Sequence, residues 1–81
     1  MEEEFITIDE VLQKRRSISV GQKINIPIKI YDPSGSILGV KMRACPVIQK
    51  YKHFAIFRKP SGMNVSHTYI ELCLLDRGRE I

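Results

Sequence analysis

Two cysteines and two histidines are the residues of this 81-residue chain whose types invite chemistry. Cys45, His53, His67 and Cys73 match a zinc ligand set in kind but not in spacing. Structural zinc sites take their ligands in close pairs, and the chain holds neither a Cys-x-x-Cys nor a His-x₃₋₅-His pair. If the Lys59–Gly62 turn makes a hairpin, His53 and His67 face each other across it, which is the most that geometry offers a metal. A Cys–His pair also suggests a nucleophile and its base. That arrangement needs a third group to orient the base and oxyanion donors within a pocket. A domain this small rarely encloses one. Beyond the N-terminal acids and Asp32, carboxylates occur only near the C-terminal end. No Gly-x-Gly-x-x-Gly or Walker pattern offers a phosphate cradle. The expectation is a non-catalytic domain with no metal and no cofactor.

Charge gives a stronger signal. Five of the nine acids (Glu2, Glu3, Glu4, Asp9, Glu10) lie in the first ten residues. Residues 14–59 hold eleven bases against a single acid, Asp32. A stretch so one-sided wants an acidic partner: nucleic acid, an acidic protein surface, or the chain's own N-terminal acids. The bland alternative is a solvated sheet whose edges are guarded by lysine.

The elements that must position these bases follow from periodicity. Residues 1–6 form an acidic tail. A helix is expected over 7–16, opened by the capping box Thr7-Ile8-Asp9-Glu10, with Ile6 and Val11 placed as a staple and Lys14, Arg15 and Arg16 in its last turn. It is too short to stand alone, and the sheet is its expected dock. Residues 22–67 are expected to form antiparallel β hairpins. Ile24, Ile26, Ile28 and Ile30 alternate with Lys23, Asn25, Pro27, Lys29 and Tyr31, the pattern of a half-buried strand, and Pro27 assigns that strand to an edge or a bulge. Asp32-Pro33-Ser34-Gly35 suits a type I turn closed by a G1 bulge. A three-residue loop sets Ile30 opposite Leu38, Ile28 opposite Val40, Ile26 opposite Met42 and Ile24 opposite Ala44. Lys41 then meets Pro27 and Arg43 meets Asn25, so Lys23, Lys29, Lys41 and Arg43 share one outer face with Tyr31 and Ile37. Pro46 breaks the second strand, Tyr51–His53 turns, and Phe54–Arg58 forms a third strand. Lys59-Pro60-Ser61-Gly62 repeats the turn signal and Met63–His67 returns. Residues 68–78 read as a short helix with a second capping box, Thr68 to Glu71, an apolar stripe of Ile70, Cys73 and Leu74, and Gly78 as its cap. The fold class is mainly β (α+β): a small curled antiparallel sheet with a helix at each end, and a partly open SH3-like barrel as its expected form.

The runs Val20-Gly21-Gln22-Lys23, Val47-Ile48-Gln49-Lys50-Tyr51-Lys52-His53-Phe54 and His67-Thr68-Tyr69-Ile70-Glu71-Leu72 resemble small uncharacterised SH3-like β-domain proteins from bacterial phages and integrated mobile elements. The resemblance implies a compact β domain with an accessory role and supplies no site residues.

The expected function is a small accessory binding domain that engages nucleic acid through Lys23, Lys29, Tyr31, Lys41, Arg43, Lys50, Lys52 and Arg58, with Tyr31 as a stacking ring. The alternative is a protein–protein interaction module or a phage-derived modulator of a host protein, meeting an acidic protein surface. No segment reads as membrane-spanning, and the acidic N-terminus is unlike a signal peptide, so a cytoplasmic monomer or homodimer with free thiols is expected.

Overall fold

The computed structural model describes residues 5–79. The acidic run Glu2–Glu4 lies outside the described residues. Helix α1 spans Ile8–Ser17, strands follow at β1 Lys23–Tyr31, β2 Ile37–Lys50, β3 Phe54–Arg58 and β4 Asn64–Thr68, and helix α2 spans Tyr69–Asp76. The strands pair in sequence order as a four-stranded antiparallel sheet, curled into a half-barrel. β1, with its Pro27, is an edge strand.

Both hairpin turns have the chemistry their sequences announce. Asp32 N–H donates to Ser36 O at 2.9 Å and Gly35 N–H to Asp32 O at 3.0 Å. Lys59 N–H donates to Met63 O at 2.8 Å and Gly62 N–H to Lys59 O at 2.9 Å. Gly35 and Gly62 sit at φ 91° and 90°, where a Cβ would be strained. Asp32 adds its carboxylate, which accepts from Ser34 Oγ, Ser34 N and Ser36 N. The Ser34 hydroxyl, helped by the Ser36 amide, holds that carboxyl below its usual range.

Beyond the first turn the register departs from expectation. Tyr31 pairs with Ile37, but from Ile30 inward the partners slip by one, so Ile30 meets Gly39, Ile28 meets Lys41, Ile26 meets Arg43 and Ile24 meets Cys45. A bulge at Leu38 absorbs the extra residue. The cause lies at the far end of β2. The expected register would have turned Cys45 and Val47 outward. Both are fully buried in the core with Ile26. Burying these residues in the body outweighs covering Val40 and Met42 in the arm, and the bulge reconciles that demand with the turn. Pro46 does not break the strand: β2 runs through it and changes partner there, pairing with β1 up to Pro46 and with β3 from Val47.

The core is Ile18, Ile26, Cys45, Val47, Ala55, Phe57, Tyr69 and Leu72, with Val11, Ile24, Ile28, Val65 and Leu75 packed around it. α2 follows β4 without a linker, and Thr68 is both the last strand residue and the N-cap. The strand therefore sets the helix's rotation. Tyr69, Leu72 and Cys73 are buried and Ile70 is exposed, so the stripe is not the expected Ile70, Cys73 and Leu74. The Tyr69 hydroxyl donates to Tyr51 O at 2.6 Å. Gly78 N–H to Leu75 O and Arg79 N–H to Leu74 O close the helix in a Schellman motif. Thr68 Oγ1 accepts from Glu71 N at 3.1 Å. Replacing Thr68 with Ala orphans that amide. The expected cost is about 1 kcal/mol, or about 5 °C in Tm by circular dichroism. An unchanged melting curve would show that the sheet alone holds the helix end.

α1 packs on α2 rather than on the sheet. It buries no residue, and Ile8 is 74% exposed. Polar contacts join the pair: Lys14 to Asp76 at 2.5 Å, Arg77 to Glu10 at 2.5 Å, and Arg77 Nη1 to Phe5 O at 2.8 Å. Lys14 and Glu10 tie the helix to α2, and Val11 is its apolar contact with the core.

Candidate binding surfaces on the first hairpin

β3 pairs with β2 only from Val47 onward, so β1 and the Ile37–Ala44 half of β2 project as a two-stranded arm. The slipped register decides what each face of that arm carries. On the inner face, continuous with the core, Lys41 and Arg43 lie beside Ile28 and Ile26. On the outer face Val40 lies beside Lys29, Met42 beside Pro27, and Ile37 beside Tyr31.

The inner face meets the β3–β4 turn across a groove of about 490 Å³ lined by Ile28, Ile30, Lys41, Arg43, Lys59, Pro60 and Ser61. Its floor, Ile28 and Ile30, is apolar, and its far wall is Lys59, Pro60 and Ser61. The side chains of Lys41, Arg43 and Lys59 make no hydrogen bond or ion pair with any described residue, and no acid lines the groove. Three unpaired cations over an apolar floor favour an anionic ligand that also carries apolar groups. No aromatic ring lines it.

The outer face is apolar and uncovered: Tyr31, Ile37, Val40 and Met42 are each 52–58% exposed, and Leu38 in the bulge is 68% exposed. Its charges along the paired region are Lys29 and, opposite Pro46 at the base of the arm, Lys23.

The eight residues expected to form one basic face are therefore dispersed. Lys23, Lys29 and Tyr31 lie on the outer side of β1, and Lys41 and Arg43 on the inner side of β2. Lys50 is spent on structure, because its Nζ donates to Arg15 O at 2.5 Å and to Ile18 O, closing the end of α1. Lys52 stands in the β2–β3 turn, and Arg58, at the end of β3, contacts Asn64 Oδ1 at 3.5 Å. Lys59, which pattern reading passed over as a turn residue, joins the groove instead. Its parity with the buried Ala55 and Phe57 was the available signal.

The candidates for chemistry are also separated. His67 pairs with Ala55 rather than facing His53, whose carbonyl instead accepts from Tyr69 N. Cys45 and Cys73 are free and buried, and burial pushes both thiols up, away from the nucleophilic thiolate. Among the described residues no three His, Cys, Asp or Glu side chains cluster to hold a metal. The groove between the helices, lined by Glu10, Gln13, Lys14, Ser17, Cys73, Asp76 and Arg77, is crossed by ion pairs between Lys14 and Asp76 and between Arg77 and Glu10. Among the described residues no helix is long and apolar enough to cross a membrane.

His67 Nδ1 lies 3.1 Å from Glu71 Oε2, its ring 5.9 Å from that of Phe57. Burial pushes the Glu71 carboxyl up, but the bonds from His67 and Thr68 outweigh it and hold the carboxyl below its ordinary 4.5. A lowered folded-state value means that Glu71 stabilises the fold above about pH 4.5 and that this contribution is lost as pH falls through the folded value. The Tm gap between the wild type and Glu71→Gln should therefore shrink as pH is lowered from 7 to 3 in a calorimetric series. A gap that stays constant would remove the carboxylate from the account.

No family model, curated protein or solved structure matches this chain.

Proposed function

We propose that this chain is a non-catalytic protein-interaction module that grips an acidic, apolar-dotted protein surface with its projecting β1–β2 arm. The observation that carries this reading is the exposed outer face of the arm, where Tyr31, Ile37, Val40 and Met42 stand bare around Lys29, while Lys41 and Arg43 stand over the apolar groove on the other face. A sheet that reads single-stranded nucleic acid presents rings and bases together, so that bases stack while phosphates are neutralised. Here the groove has cations without a ring, and Tyr31 has aliphatic neighbours with Lys29 for charge. An exposed aliphatic patch of this kind favours protein. The shape agrees. The Cα radius of gyration is 13.7 Å, against about 12 Å for a compact chain of this length, and the shortest dimension is 16 Å. The arm has no second layer of its own, and a partner's surface would supply one. An accessory role in the cytoplasm is in keeping with this reading.

Fluorescence anisotropy at about 50 mM salt, where phosphate attraction is strong, tests it. A labelled random Glu/Val copolymer is compared with single-stranded and duplex DNA and RNA. The copolymer should bind more tightly than any oligonucleotide and should be weakened by Met42→Glu. Tighter oligonucleotide binding that ignores Met42→Glu would return the function to nucleic acid.

A further inference from the structure

The edge of the arm carries the inference further than either of its faces. From Ile37 to Pro46, β2 pairs on one side with β1 and on the other side with no described strand, because β3 turns away at Lys59. A row of backbone donors and acceptors is left open beside the groove. We propose, on the strength of the protein-interaction reading above, that the partner adds to this edge as an extended strand in which acidic and apolar residues alternate.

The pattern follows from cross-strand neighbours. A strand laid beside β2 places every second side chain on the inner face and the others on the outer face. Its inner residues stand next to Lys41 and Arg43 and within the groove that Lys59 closes. Carboxylates there meet three cations that have no partner in the described chain. Its outer residues stand next to Val40 and Met42 and extend the uncovered aliphatic face. Opposite charges and paired aliphatic groups are the cross-strand neighbours that stabilise a ladder. One occupant thus answers the open edge, the unpaired cations and the bare outer face together.

The same residues disfavour a second copy of this chain. Two arms joined edge to edge would bring Lys41 and Arg43 near their own counterparts, and like charges across a ladder repel. Lysine and a bulge are also how natural sheets guard an edge against self-pairing. Here they leave the edge closed to a copy and open to an acidic strand.

The test is a titration of the full ¹⁵N-labelled chain with two capped octapeptides of one composition. One alternates (Glu-Val-Glu-Thr-Glu-Val-Glu-Thr) and the other is its block isomer (Glu-Glu-Glu-Glu-Val-Thr-Val-Thr). The alternating peptide should bind about tenfold more tightly. It should also slow amide exchange along residues 38–44. Equal affinities would overturn strand addition while leaving the acidic-partner reading intact, since charge alone would then explain binding. Oligonucleotide binding with neither peptide bound would overturn both. Shifts confined to the α1–α2 groove would place the site elsewhere and overturn the inference as well.

Discussion

Phe57→Ala should cost about 3–5 kcal/mol and lower Tm by about 20 °C. The ring is fully buried, with Val47 opposite it on one neighbouring strand and Val65 on the other. A chain of this length has a total stability of about 4–12 kcal/mol, so the substitution removes a large part of it. The loss should be severe because the sheet is a single curled layer. Few neighbours can move into the space, and the strands on both sides are fixed by their ladders. Urea denaturation followed by circular dichroism measures the effect, with Leu38→Ala as control. Leu38 is exposed in the bulge, so its truncation should change stability by less than about 0.5 kcal/mol. A Phe57→Ala melt within about 5 °C of wild type would show that the core does not centre on that ring.

The second large effect is on binding. Reversing both charges with Lys41→Glu and Arg43→Glu should weaken the alternating acidic peptide about thirtyfold, as each attraction is replaced by a repulsion. Stability should hardly change, since both side chains are exposed and bonded to no described residue. Net charge alone could mimic this result. The control is therefore Lys23→Glu with Lys52→Glu, which changes the total charge equally but lies outside the groove. Isothermal titration calorimetry on the two double variants decides the matter. Equal losses would mean that the groove has no privileged role.

Local signals in the sequence were reliable where the chain's own chemistry settled the outcome. Two threonine capping boxes, two Pro-Ser-Gly turns, and the glycine that ends α2 all appear as their residue types dictate. So do the short C-terminal helix, the edge position of Pro27 and the mainly β architecture. The helix–sheet docking and the register were less legible, because each is decided by competition between distant residues. Alternation alone favoured Val40 and Met42 under the isoleucines. Cys45 and Val47 won that place because they reach the body of the core, and one bulged residue then moved Lys41 and Arg43 to the other face. The site followed the register. Lys50 was lost to the end of α1, a role that depends on two segments 32 and 35 residues away meeting in space. Lys59 was gained because the β3–β4 turn faces the arm. Neither event leaves a local mark.

The twin turns bear on how quickly the chain finds its structure. At each reversal proline presets one dihedral, which leaves the unfolded chain fewer conformations to search, and glycine two residues on accepts the positive φ that closes the turn. Every strand of the sheet pairs with its neighbour in sequence. The ladders therefore close short loops, the kind of topology that folds fast. The contacts between α1 and α2 are different in kind. Glu10 and Arg77 are 67 residues apart and Lys14 and Asp76 are 62 apart, so the loop they close spans nearly the whole described chain. Assembly thus has a natural order: hairpins form from local instructions, and the helices clasp once the sheet has brought them within reach.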